Sequence, residues 1–290
     1  MDYISKNYEK RVLYSGLHGY HAHHGSTMNR PKNYGTSKYR IGVELEVEFH
    51  NLTAARRFKE AESNWFYLER DGSIGGADRE GIEIITVPMK PSDAKAWTFW
   101  GEELTQFIAE DANSWDTNGR CGLHVHIGNE RLGGCPQAVE ETRAKLIYLH
   151  EHFLKGHPII KRVYGRDRSY HEANGQTPAG ESAAALRGTH TLMKTRKLQE
   201  DTKREIIDRN TWTRYHAINI LNDHTTEFRL GKGSLNPQRI AAVVEWCDLQ
   251  CQYASRINWG QISTEDFFDF LKFTATDNLR TYIGEWVPER

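Results

Sequence analysis

Apolar and acidic residues alternate strictly from Ile41 to Phe49, with Val43, Leu45, Val47 and Phe49 facing one way and Glu44, Glu46 and Glu48 the other. A period of two residues is that of a half-buried β-strand. Trp65 to Glu69 reads as a second strand, closed by the turn signal Asp71-Gly72-Ser73. Gly81 to Val87 reads as a third, ended by Pro88. The spacing then becomes helical at Trp97, Trp100, Leu104, Phe107 and Ile108, behind a cap at Ser92 or Asp93. Cys121 to Gly128 returns to period two, with Leu123, Val125 and Ile127 on one face and His124 and His126 on the other. A helix is expected from about Ala138 to Lys155.

Residues 156–210 are net basic and weakly patterned, as expected of a lid or insert. Alternation resumes at Arg214–Leu221 and Thr225–Leu230, and Asn222-Asp223-His224 between them reads as a hairpin turn. Pro237 suits the first turn of a long helix carrying Ile240, Val243, Val244, Cys247 and Cys251 inward. Ser263 to Asp266 resembles a capping box before the Phe-rich last helices. Residues 1–38, including the histidine-rich run His18 to His24, lack periodic apolar positions and read as a flexible or extended arm. With no repeat and no linker, 39–290 reads as one domain. The element order suits an α+β fold, an antiparallel sheet with helices packed on one face.

Composition narrows the function classes. The 290 residues include 38 Lys+Arg and 39 Asp+Glu, a formal net charge of -1, which calls for neither nucleic acid nor a membrane surface as partner. No run approaches the roughly 20 apolar residues that span a bilayer, and the polar N-terminus has no signal core. Cys121, Cys135, Cys247 and Cys251 show no disulfide-like spacing. A reducing cytoplasm is the expected location.

The chemistry lies on the polar faces of these strands: Glu44, Glu46 and Glu48; Glu83; His124 and His126; Glu227 and Arg229. An acidic strand face by itself is usually a solvated one. Neighbouring unpaired carboxylates about 4 Å apart, however, repel by roughly 4 kcal/mol at an effective dielectric near 20, and no matching lysines stand on these strands. Divalent cations would neutralise them. Carboxylate oxygens suit Mg²⁺ or Mn²⁺, while the His124-x-His126 pair also permits zinc. Gly231-Lys-Gly-Ser234 lacks the Walker spacing and no GxGxxG is present, so any nucleotide would be held through metals and arginines, with Arg229 a bidentate phosphate clamp.

Five motifs in order, Gly42-Val-Glu-Leu-Glu46, Asp71-Gly-Ser73, Gly81-Ile-Glu83, Gly122-Leu-His-Val-His126 and Thr226-Glu-Phe-Arg-Leu230, resemble the putative amidoligases. These belong to the glutamine synthetase and glutamate–cysteine ligase superfamily of carboxylate–amine ligases. The resemblance covers about Tyr39 to Pro237. It implies a curved antiparallel sheet with helices on the convex face, ATP and Mg²⁺ as cofactors, and small-molecule or peptide carboxylates and amines as substrates. By the same resemblance Glu44, Glu46, Glu83, His124 and Glu227 are metal ligands, and His126 lies nearer the phosphates. Arg229 is the phosphate-binding arginine; Asp71, Ser73 and Asn219 match further site positions. Arg162, Arg166 and Arg168 are candidate phosphate contacts in a stretch that aligns poorly. Glu46, Arg229 and Asp71 are the candidate catalytic residues, with Glu48 an alternative base. Two other functions stay open: a zinc hydrolase using His124, His126 and a Glu, and a non-catalytic member that binds nucleotide or metal.

Overall fold

The computed structural model describes residues 39–49, 53, 65–76, 79–105, 112–113, 121–154, 156–165, 196–211 and 216–284. The chain is α+β, with helices and an open antiparallel sheet. It divides into two compact units, residues 1–126 with 231–244 and residues 127–230 with 245–290.

In the first unit, β1 (Ile41–Phe49) is the strand around which the others are placed. It pairs antiparallel with β3 (Arg79–Thr86), which pairs in turn with β2 (Phe66–Gly76). β4 (Ala112–Asn113) meets the end of β1 through Glu48 and Phe49. β5 (Gly122–Gly128) begins on the other side of β1. The segment after Leu230 runs beside it, with the Gly233 N–H donating to the Cys121 carbonyl at 2.8 Å. Val43, Leu45 and Val47 sit across from or beside Ile82 and Ile84, and all five are buried. At about 25 cal/mol per Å², each such side chain contributes roughly 1.5–3 kcal/mol. The chain is closed at the entry to β1 by paired bonds between Ile41 and Met89 and by Val43 N–H donating to Thr86 Oγ1 at 2.9 Å.

Two expectations about this unit need correction. Asp71-Gly72-Ser73 does not end β2; the strand continues to Gly76 through a register shift between Arg70 and Gly75, and Gly76 pairs with Arg79. Gly and Asp there accommodate an irregularity within a strand, a use of these residues that their turn preference does not distinguish. The helix after Pro88 is also not continuous. α1 (Pro91–Ala94) begins behind Lys90 without a side-chain cap, and Ser92 Oγ donates to Asp93 instead. α2 (Trp97–Trp100) follows and widens into a π-helical turn over Gly101–Thr105. Trp100 is buried and donates from Nε1 to the Ala94 carbonyl at 2.9 Å, which ties the two short helices together across the break.

The second unit is mostly helical. α3 (Pro136–Leu149) passes into a π-helical turn over His150–Leu154, close to the expected 138–155. α4 (Pro158–Tyr164) and α5 (Arg196–Asn210) both fall inside 156–210, so that stretch is not uniformly irregular; residues 166–195, with Arg166 and Arg168, lie outside the described residues. Charge spacing hides α5 from an apolar-period test. Its buried positions Thr202, Ile206 and Asn210 recur every four residues, yet only one of them is apolar. Lys203 with Glu200, and Arg209 with Glu205, support the helix from its exposed side.

β6 (Ile218–Asn219) and β7 (Thr225–Lys232) form the expected hairpin, with Ile218 opposite Phe228 and Asn219 opposite Glu227. Arg143 of α3 holds its turn, donating to the carbonyls of Asn222 (2.6 Å) and Thr225 (2.8 Å), to Thr226 Oγ1 and to Asn129 Oδ1. α6 (Pro237–Arg256) starts at the expected proline. From Glu245 onward it belongs to the second unit, where Trp246 and Tyr253 pack on Phe267 of α7 (Thr264–Thr274). Ser263 caps α7 by accepting from the Asp266 N–H, as expected, and Glu245 fixes the start of α8 (Asp277–Ile283) by accepting from Thr276 N and Oγ1. Cys247 and Cys251 are buried, as their helical spacing implied, whereas Cys135 is exposed at the start of α3. Among the described residues no helix is long and apolar enough to cross a membrane.

Candidate functional site

In the first unit the polar face of β1 is not solvated. Glu46 and Glu48 are buried, as are His124 and His126 on β5. Antiparallel pairing puts Glu46 directly opposite Glu83 of β3, and Glu83 opposite Glu69 of β2. Partners directly opposite in a ladder share a face, so Glu46 and Glu83 stand side by side. An ionised carboxylate removed from water is costly unless something compensates it.

Two imidazoles stand against these carboxylates. His126 Nε2 lies 3.0 Å from Glu44 Oε1, and His124 Nδ1 lies 3.3 Å from Glu44 Oε2. The other ring nitrogen of His124 is 3.8 Å from Glu46 Oε1. Glu46 also accepts a 2.5 Å hydrogen bond from the backbone N–H of Gly122 at its second oxygen. Burial pushes the Glu44 carboxyl up, but the charges and hydrogen bonds of His126 and His124 outweigh it and hold that carboxyl well below the ordinary carboxylate range.

Ligand atoms of Glu44, Glu83 and His124 all lie within 4.8 Å of one another. Ligands on opposite sides of an ion held at about 2.1 Å stand roughly 4 Å apart, so the three groups fit one small divalent cation with little movement. Two carboxylates with an imidazole suit Mg²⁺ or Mn²⁺ and do not exclude zinc.

The second unit carries a separate set. Asn219 Nδ2 donates to Glu227 Oε2 at 2.7 Å, and Arg229 Nη1 donates to Glu227 Oε1. The hairpin register is the cause: Asn219 faces Glu227 across the ladder, and Arg229 follows two residues on, on the same side of β7. Glu227 is buried and its charge is met by the guanidinium. Such a carboxylate orients the planar fork of Arg229, a group suited to phosphate.

Residues 38–250 match the family described as "putative amidoligase enzyme". The chain belongs to that family. Every motif that carries the sequence resemblance falls inside the matched region. No curated protein matches the chain.

The remaining expected residues divide as follows. Asp71 and Ser73 lie on the shifted part of β2, and their side chains are outside the described residues. Glu48 is buried opposite Gly81 and Asn113. Arg162 of α4 is exposed and near Gly284 at the end of α8. Sequence reasoning missed Gly122, whose N–H holds Glu46. The signal was available: Gly122 precedes His124 by two residues and so shares its face.

Proposed function

We propose that this amidoligase is an ATP-dependent carboxylate–amine ligase of the glutamine-synthetase-like kind, which forms an amide through an acyl phosphate and releases ADP and phosphate. The cluster of Glu44, Glu83 and His124 carries the proposal, because it combines a cation-sized donor set with membership of the amidoligase family. A divalent cation held there, Mg²⁺ by preference, would neutralise charge on the transferring phosphoryl group. His126 Nε2, 3.0 Å from Glu44 Oε1, holds that carboxylate in place beside the cluster. Glu46, fixed by Gly122, adds negative charge beside them. Glu227 and Asn219 hold the guanidinium of Arg229 in a set orientation for phosphate oxygens.

The test is ADP release and amide formation by the purified chain with Mg²⁺, ATP and pools of amino acids and polyamines, together with its metal content. Glu83→Gln and Arg229→Lys should each lower the rate by at least tenfold while circular dichroism stays unchanged. ADP release that survives both substitutions would overturn the assignment. Zinc in the purified protein, with ATP-independent hydrolysis, would favour the hydrolase in its place.

A further inference from the structure

We infer that Gly122 is a positioning residue of the proposed metal site, one whose lack of a side chain sets where His124 and Glu46 stand. This rests on the cluster's being a metal site, and concerns what holds its ligands in place.

Backbone conformation does not require glycine here. Among the described residues the positive-φ glycines are Gly156, Gly165 and Gly284, so Gly122 has a backbone that alanine could adopt. What excludes a side chain is the candidate ligand His124 together with Glu46 beside it. A Cβ on Gly122 would lie 2.8 Å from His124 Nε2 and 3.1 Å from Glu46 Oε2. The first distance is shorter than real Cβ contacts allow, so something must move.

The mover is identifiable. Both crowded atoms are the far ends of side chains, and no backbone atom is among the nearest neighbours. Gly231 provides the contrast in the same unit, since a Cβ there would strike the Leu123 carbonyl of the neighbouring strand. Alanine at 231 therefore strains the sheet, whereas alanine at 122 is accommodated by rotating the His124 ring. That ring is held by Glu44 at Nδ1 and faces Glu46 at Nε2, so it cannot rotate without leaving at least one of them. Gly122 also acts through its N–H, which donates to the same Glu46 oxygen that the Cβ would crowd. One residue thus positions the candidate ligand His124 by open space beside its ring and the neighbouring carboxylate of Glu46 by a hydrogen bond.

A cycle of variants separates this from a structural role. Mn²⁺ affinity is measured by calorimetry and by the electron paramagnetic resonance of the bound ion, using wild type, Gly122→Ala, His124→Asn and the double variant. Each is first melted in chelator-treated buffer. Asn at 124 keeps a donor atom near the place of Nδ1 and removes the part of the ring that the Cβ would meet. Gly122→Ala should fold, with a melting temperature close to wild type, and bind Mn²⁺ about 10–100-fold more weakly. Added to His124→Asn, the same substitution should cost less than about threefold, because the closer contact, at His124 Nε2, is gone and only the looser one at Glu46 Oε2 remains. Equal Mn²⁺ affinity in wild type and Gly122→Ala would overturn the inference and leave the metal site standing. An equal loss in both backgrounds would also overturn it, by placing the effect elsewhere than at His124. Wild type that binds no Mn²⁺ would overturn the metal site and this inference together.

Discussion

Asn219 and Glu227 face each other across the β6–β7 hairpin, and the amide of one donates a 2.7 Å hydrogen bond to the buried carboxylate of the other. The same carboxylate accepts from Arg229, so the hairpin register alone delivers an oriented guanidinium. Asn219→Asp should convert this attraction into repulsion. Two carboxylates about 4 Å apart at an effective dielectric near 20 repel by roughly 4 kcal/mol. The variant is expected to be less stable than wild type in urea at pH 7 and to recover much of the difference near pH 4, as one carboxyl takes up a proton. An equal deficit at both pH values would show that shape, not charge, is responsible.

Divalent metal should stabilise the chain. Mg²⁺ or Mn²⁺ relieves the crowding among Glu44, Glu46 and Glu83, and at about 100 times its dissociation constant adds roughly 2.7 kcal/mol. Melting curves with and without millimolar metal measure this, and Glu83→Gln should shrink the shift. Absence of any shift in wild type counts against a carboxylate metal cluster.

Acid should weaken the start of α4 through His157. Its Nδ1 accepts from the Ile159 N–H, which requires that nitrogen to be unprotonated, and burial lowers the imidazole's pKa. The unfolded chain, with an ordinary pKa near 6.5, takes the proton first as pH falls. The contribution is therefore complete above about pH 6.5 and is lost on descending through the lower folded value. His157→Asn keeps an acceptor at the cap without titrating. Between pH 7.5 and 5 wild type should lose more melting temperature than this variant; parallel curves would remove His157 from the account.

Arg143 should matter for stability beyond its size. Truncation to Ala strips donors from the Asn222 and Thr225 carbonyls and from Thr226 Oγ1. Each polar group left unsatisfied costs about 1–3 kcal/mol. Denaturant unfolding of Arg143→Ala is expected to show a loss of roughly 3 kcal/mol or more. Arg143→Lys should recover only part of it, since one ammonium cannot span all these acceptors. A loss below about 1 kcal/mol in Arg143→Ala would mean that the hairpin turn holds itself.

Strands β1, β5 and β7 were legible in the sequence because a two-residue period records which face is apolar, and the residues of opposite parity are then the site candidates. The β6–β7 hairpin, the proline start of α6 and the Ser263 cap were legible for the same reason: each depends on neighbours a few residues away. The break between α1 and α2 was not, since the tie that bridges it is the bond from Trp100 to Ala94. Nor was α5, whose buried stripe includes Thr202 and Asn210, polar residues that no apolar count registers.

The sequence by itself determined which side chains share a strand face, because alternation is a property of the local backbone. It could not determine their partners. Glu44 with two histidines, Glu46 opposite Glu83, and Gly122 against Glu46 all depend on strand order and register. Those follow from packing distant segments at once, and a shift of one residue in any strand would send that strand's site residues to the other face.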